Sequence, residues 1–135
     1  MKPLKIIPFL LFIFFVLISC GQNGENAKGK DAAIQKINVD DFRLATENSV
    51  IIDVRTPGEY ESGHIKNAIN INVSDSNFQE KIAQLNKNEK VYVYCKIGSR
   101  SNKAANILVK NGFKQVYDLN GGIISWQRAN LPLEK

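Results

Sequence analysis

Val91-Tyr92-Val93-Tyr94 is an apolar run that stops at a cysteine. A run this short, built from β-branched and aromatic residues, reads as a buried strand. Cys95-Lys96-Ile97-Gly98-Ser99-Arg100-Ser101 follows it, and Asn102 to Lys110 then carries a helical pattern. The chain must turn from strand to helix within a few residues, with the cysteine at the turn, Gly98 inside it and the cations Lys96 and Arg100 beside it. Backbone N–H groups of a tight loop and of a helix's first turn favour the anion of a sulfur placed among them. The competing reading is an inert, buried cysteine at a strand end.

The same alternation runs through the chain from Ile34. Ile37 to Val39 reads as a short strand, and Asp40 as the cap of a short helix carrying Phe42 and Leu44. Val50 to Val54 suits a central parallel strand. Pro57 and Gly58 break it, and Glu59 to Ser62 reads as one helical turn. Ile69 to Val73 is a further strand, and Phe78, Ile82 and Leu85 give an amphipathic helix. After the helix ending at Asn111-Gly112, Gln115 to Leu119 reads as a strand and Gly122 to Arg128 as a final helix. Alternating strands and helices imply an α/β fold, a mostly parallel central sheet with helices on both faces. Sites in such sheets form outside the carboxyl ends of the strands, which is where Cys95 falls.

Cys95-x-x-Gly98-x-Arg100-Ser101 resembles the active-site loop of the rhodanese (sulfurtransferase) family. Val50-Ile51-Ile52-Asp53-Val54-Arg55-Thr56-Pro57-Gly58-Glu59-Tyr60 with Gly63-His64-Ile65-Lys66-Asn67-Ala68-Ile69-Asn70 resembles its N-terminal signature. Leu119-Asn120-Gly121-Gly122-Ile123-Ile124-Ser125-Trp126 resembles its C-terminal one. The resemblance spans about residues 35 to 132, with the motifs in the family's order. It implies that Cys95 is a nucleophile that takes a sulfane sulfur from a small anionic donor such as thiosulfate, becomes a persulfide, and yields that sulfur to a thiol or cyanide acceptor. It implies no cofactor. The amides of residues 96 to 100 would stabilise the persulfide anion without a histidine.

Around Cys95 the readings divide. Arg100 orients the loop, binds the donor's oxyanion, or staples backbone carbonyls; a mixed role is favoured. Lys96 attracts the donor or is an ordinary exposed lysine. Ile97, Gly98 and Ser99 complete the loop, and Gly98 is expected in a conformation that a side chain would hinder. Ser101 offers a hydroxyl or caps the helix. By resemblance Asp53, Arg55, Glu59 and His64 are structural, with Arg55 and Glu59 expected to pair and fix the loop after their strand. Asn67 stands where the family has glycine and is expected to tolerate the left-handed turn. Trp126 is expected as a core or lid aromatic.

The chain has 135 residues, two cysteines, one histidine and a net charge of +5. That is enough for one domain. Residues 1–19 do not belong to it. Lys2 and Lys5 precede an apolar run, Ile6 to Ile18, too short for a comfortable span and flanked like a secretory signal. Leu17-Ile18-Ser19-Cys20-Gly21 resembles the lipobox of bacterial lipoproteins, which implies cleavage and a lipidated Cys20. Residues 20–33, rich in Gly, Asn, Gln and Lys, read as a tether with a reach on the order of 20 Å. Residues 34–135 are the expected domain, a monomer held in the periplasm at the outer membrane through the lipid alone.

With Cys20 lipidated, Cys95 has no disulfide partner, which argues against a dithiol cycle or a redox sensor. One histidine and one thiol leave no metal cluster. Loss of Lys2 and Lys5 lowers +5 to +3, spread among acids, so nucleic-acid binding is not expected. Two alternatives to turnover remain. One is a sulfur carrier or binding module. The other is a cysteine phosphatase, whose loops place one more residue between cysteine and arginine than the four found here.

Overall fold

A computed structural model describes residues 33–45 and 49–135. The expected signal segment, Cys20 and most of the expected tether lie outside the described residues. The elements are β1 (Ala33–Ile37), α1 (Val39–Ala45), β2 (Val50–Asp53), α2 (Pro57–Ser62), β3 (Ala68–Asn70), α3 (Phe78–Ala83), β4 (Lys90–Tyr94), α4 (Ser99–Lys110), β5 (Gln115–Leu119) and α5 (Gly122–Arg128). The strands form one parallel sheet in the order β1-β5-β4-β2-β3. The two most apolar runs, Val50 to Ile52 in β2 and Val91 to Tyr94 in β4, lie side by side inside it, as burial on both faces requires.

Alternation along each strand splits the core in two. Ile52 and Val54, Val91 and Val93, and Val116 face α3 and α4, where Phe78, Ile82, Ala104, Ala105 and Leu108 cover them. Ile51, Tyr92, Tyr94 and Leu119 face the other way, against Phe42, Ile123 and Trp126. Phe42 sits at the centre of this second layer, edge-on to Tyr92, Tyr94 and Trp126. The Trp126 indole donates to the carbonyl of Pro132 at 2.9 Å, so this residue is a core aromatic rather than a lid.

Several boundaries differ from the sequence reading, each for a local reason. The first strand begins at Ala33 and ends at Ile37 because Asn38, not Asp40, caps α1: its Oδ1 accepts the Asp41 amide at 2.9 Å. Leu44, half a turn from Phe42, is left 70% exposed. The third strand stops at Asn70, where the Asn70 side chain donates to the carbonyls of Asp53 and Arg55. Beyond it the amides of Ile71 and Val73 still bond to Asp53 and Val54, so the segment stays buried beside β2. Asn67 does adopt the left-handed conformation, with φ 63°.

The expected pair between Arg55 and Glu59 does not form. Arg55 instead folds back on Asp53, two residues earlier. Its Nη2 lies 2.6 Å from Asp53 Oδ2, and its Nε lies 2.9 Å from Oδ1. The same Nη2 donates to the Gly63 carbonyl at 2.8 Å, and the guanidinium lies over the Tyr94 ring. Asp53 and Arg55 are 0% and 5% exposed. Removing one member leaves a buried charge alone, which costs about 3–5 kcal/mol. Asp53→Asn is therefore expected to lower the stability of the domain by that amount in urea unfolding. A change under about 1 kcal/mol would show that the pair carries no structural weight.

Candidate functional site

Cys95 follows the last residue of β4 and is fully buried. Gly98, with φ 115°, turns the chain back over it and serves as the N-cap of α4. That conformation is open to glycine and strained for other residues, and it is what aims the Gly98 amide at Sγ, 3.1 Å away. The helix starts at Ser99, three residues earlier than the apolar pattern indicates, because this turn brings Ser99 and Arg100 into helical geometry. Ser101 is thus inside the first turn and not its cap. Its hydroxyl, fully buried, accepts from the Cys95 thiol at 3.5 Å and donates to the Gly98 carbonyl at 3.2 Å.

Two effects compete for the thiol. Burial pushes its pKa up. The Ser101 hydroxyl and the amides of Ser101, Gly98 and Ile97 pull it down and prevail, so the thiol lies below its ordinary value. The sequence reading placed these amides at residues 96 to 100; those that act are Ile97, Gly98 and Ser101. The loop therefore favours the sulfur's anion, through backbone dipoles and one buried hydroxyl.

The loop is pinned from two sides. On one side the N-terminus of α5 meets it: the Ile123 amide donates to the Cys95 carbonyl at 2.8 Å and the Ile124 amide to the Lys96 carbonyl at 3.2 Å. This approach is why the chain needs Gly122, since a Cβ there would overlap the carbonyls of Cys95 and Lys96. On the other side α2 reaches across. Arg100 makes a fork-to-fork pair with Glu59, at 2.7 and 2.8 Å. Glu59 is also the third residue of a capping box: Thr56 N and Oγ1 donate to its carboxylate, and its own amide donates to Thr56 Oγ1. Arg100 is thus a staple, onto a carboxylate rather than onto carbonyls.

Lys96 and Ile97 stand exposed at the rim. Lys96 shares a cavity of about 230 Å³ with Arg55, Glu59, Ser62 and Gln127. Gly98 and Ser99 line a second, of about 390 Å³, with Lys36, Asn102, Asp118 and Asn120. His64 stacks on the Tyr60 ring at 3.8 Å, contacts the Tyr60 carbonyl through Nδ1, and pairs its backbone with Glu134. These contacts are ring packing and backbone pairing. Asp118 escaped the sequence reading. Its only signal was a carboxylate at the ligand-side end of the strand, between the apolar Tyr117 and Leu119.

The Arg100 fork holds the Glu59 carboxyl down from 4.5 to about 2. A depressed carboxyl stabilises fully above its unfolded value and loses that stabilisation as pH falls through its folded one, here between about 4.5 and 2. Both partners are about a third exposed, so the pair is worth about 1 kcal/mol. Glu59→Gln is expected to lower the melting temperature at neutral pH and to match the wild type near pH 2. A deficit that persists unchanged through that range would place the effect elsewhere.

A model of the Rhodanese-like domain family matches residues 38–129. A sulfurtransferase of Allochromatium vinosum is 36% identical over 92 residues, 67% of this chain and 84% of that protein. The thiosulfate sulfurtransferase GlpE of Vibrio cholerae is 35% identical over 99 residues, 73% of this chain and 91% of that protein. The crystal structure of a rhodanese-related protein from Thermoplasma volcanium superposes with a TM-score of 0.67 at 34% identity, over 74% of this chain and 97% of that one. The fold, the cysteine loop and these likenesses agree, and the chain belongs to the rhodanese-like domain family.

Proposed function

We propose that this protein is a sulfurtransferase that carries sulfane sulfur as a persulfide on Cys95. The observation that carries the reading is the buried Sγ, 3.1 Å from the Gly98 amide, in a loop whose dipoles outweigh the cost of burying an anion. The Cys95 thiolate attacks the outer sulfur of thiosulfate. A new S–S bond forms, the old one breaks, and sulfite leaves with the electron pair. An acceptor thiolate or cyanide then attacks the outer sulfur of the persulfide and expels the Cys95 thiolate. The loop amides face the sulfur throughout, so no new charge has to be solvated.

Phosphoryl transfer is disfavoured by the same geometry. An arginine that served a phosphate would point into the loop, whereas both Nη atoms of Arg100 are engaged by Glu59. Lys96 and the Arg55–Glu59 side of the loop supply the mixed charge near which an anionic donor would arrive.

We propose further that Cys20 is lipidated and that residues 20–33 tether the domain to the periplasmic face of the outer membrane. Support comes from the order of basic, apolar and small residues before Cys20. No described helix is long and apolar enough to cross a membrane.

Two experiments test these readings. Cys95→Ser is expected to reduce thiosulfate-to-cyanide transfer to background, because serine has no sulfur to carry the intermediate. Transfer that survives in Cys95→Ser would move the site elsewhere, and a wild type that takes up sulfur once without turnover would make the protein a carrier. Cys20→Ala is expected to abolish labelling by an acyl-chain probe in cells, and unchanged labelling would remove the anchor.

A further inference from the structure

Asp118 is a carboxyl for which the sulfur site has so far had no use. It lies near the end of β5, on the same face of the strand as Val116 and hence under α4. It is 1% exposed, and its Oδ1 has no hydrogen-bond partner among the described residues. A buried carboxylate oxygen left bare is costly. Ser101 stands between it and the sulfur. Asp118 lines one cavity with Gly98, Ser99 and Asn102, the turn of α4 that carries the buried Ser101, and Ser101 Oγ accepts from the Cys95 thiol at 3.5 Å.

A hydroxyl has one hydrogen to give. Ser101 directs it at the Gly98 carbonyl, 3.2 Å away, but that carbonyl already receives the Asn102 amide at 3.1 Å. Asp118 Oδ1 receives nothing. Turning the hydroxyl away from Gly98 therefore leaves no carbonyl bare, and the unpartnered Asp118 Oδ1 is an acceptor toward which it can turn.

We propose that Asp118 takes up the proton that Cys95 releases, by way of the Ser101 hydroxyl, so that sulfur and carboxyl carry one negative charge between them. The S–H bond breaks and its electron pair stays on sulfur. The proton joins Ser101 Oγ as the hydroxyl's own hydrogen passes to Asp118. The products are a thiolate and a neutral carboxylic acid, with no change in total charge. Afterwards the chain runs from the carboxylic acid to Oγ and from Oγ to the sulfur, each donor turned toward the anion. The surroundings fit this role. Burial holds the Asp118 carboxyl above its ordinary range, and Ser101 and Lys36 offset that only in part. Lys36, exposed, is its register partner on β1; Val93, uncharged, is its register partner on β4. From α4 come Ser101 and, acting on the sulfur, Arg100, which Glu59 already holds. The first turn of α5 brings no charged side chain.

The inference rests on Cys95 being the nucleophile, but its test reads the thiol alone and is independent of sulfur transfer. Two groups sharing a proton titrate as a pair, in two macroscopic steps. Between the steps the thiolate fraction does not change with pH. The experiment is the rate of iodoacetamide alkylation against pH, read by mass on the peptide containing Cys95, for the wild type, Asp118→Asn and Ser101→Ala. The wild type is expected to show two rises separated by a flat shelf. Asp118→Asn should show one rise and react several-fold faster at the pH of the shelf, because the competing charge is gone. Ser101→Ala should keep two rises with a shelf about tenfold lower, the value of one hydrogen bond to an anion. A single rise in the wild type, or an Asp118→Asn profile that superposes on it, would overturn the proposal. Should Asp118→Asn fail to fold, the wild-type and Ser101→Ala profiles decide alone.

Discussion

The contact on which the chemistry of this fold depends is the hydrogen bond from the Gly98 amide to the Cys95 sulfur, 3.1 Å long. Burial opposes a thiolate there, and a few amides and one hydroxyl reverse that opposition. The margin exists only while the loop stays closed, because an amide hydrogen bond weakens steeply with angle. The surrounding elements hold it closed. The α5 amides grip the carbonyls of Cys95 and Lys96, and Glu59 on α2 grips Arg100. Gly122 permits the first grip through a missing side chain.

The two ion pairs near the site do different work. Asp53–Arg55 is almost fully buried. It ties the end of β2 to the Gly63 carbonyl, with the guanidinium over the Tyr94 ring, and so fixes the platform on which β4 ends. Glu59–Arg100 is about a third exposed and contributes little to stability. Its value is geometric: a planar fork restrains the first turn of α4 and with it the direction of the Gly98 and Ser101 amides. The sequence carries these residues as Asp53, Arg55, Glu59 and Arg100, but not their pairing. Arg55 and Glu59 are four apart and look like partners. The turn at Thr56-Pro57 sends one guanidinium back into the core and the carboxylate outward toward α4.

The fold itself was readable because β2 and β4 are too apolar and too short to be anything but central strands, and because the glycines and asparagines at element ends are punctuation that physics enforces. The cysteine loop was readable for the same reason. Besides the ion-pair partners, three features were not. The helix start at Ser99 depends on the φ of Gly98, which no pattern of apolar residues encodes. The cap at Asn38 rather than Asp40 is a choice between two good capping residues, decided by where Phe42 must be buried. Asp118 depends on pairing between strands far apart in sequence, which places it under the first turn of α4.

The central claim is that Cys95 carries the sulfur, and the mass of the intact protein after exposure to thiosulfate tests it most directly. The account predicts a gain of one sulfur atom, located on the Cys95 peptide, released as thiocyanate on addition of cyanide and absent from Cys95→Ser. A wild-type mass unchanged by thiosulfate, or a sulfur gained equally by Cys95→Ser, would contradict it.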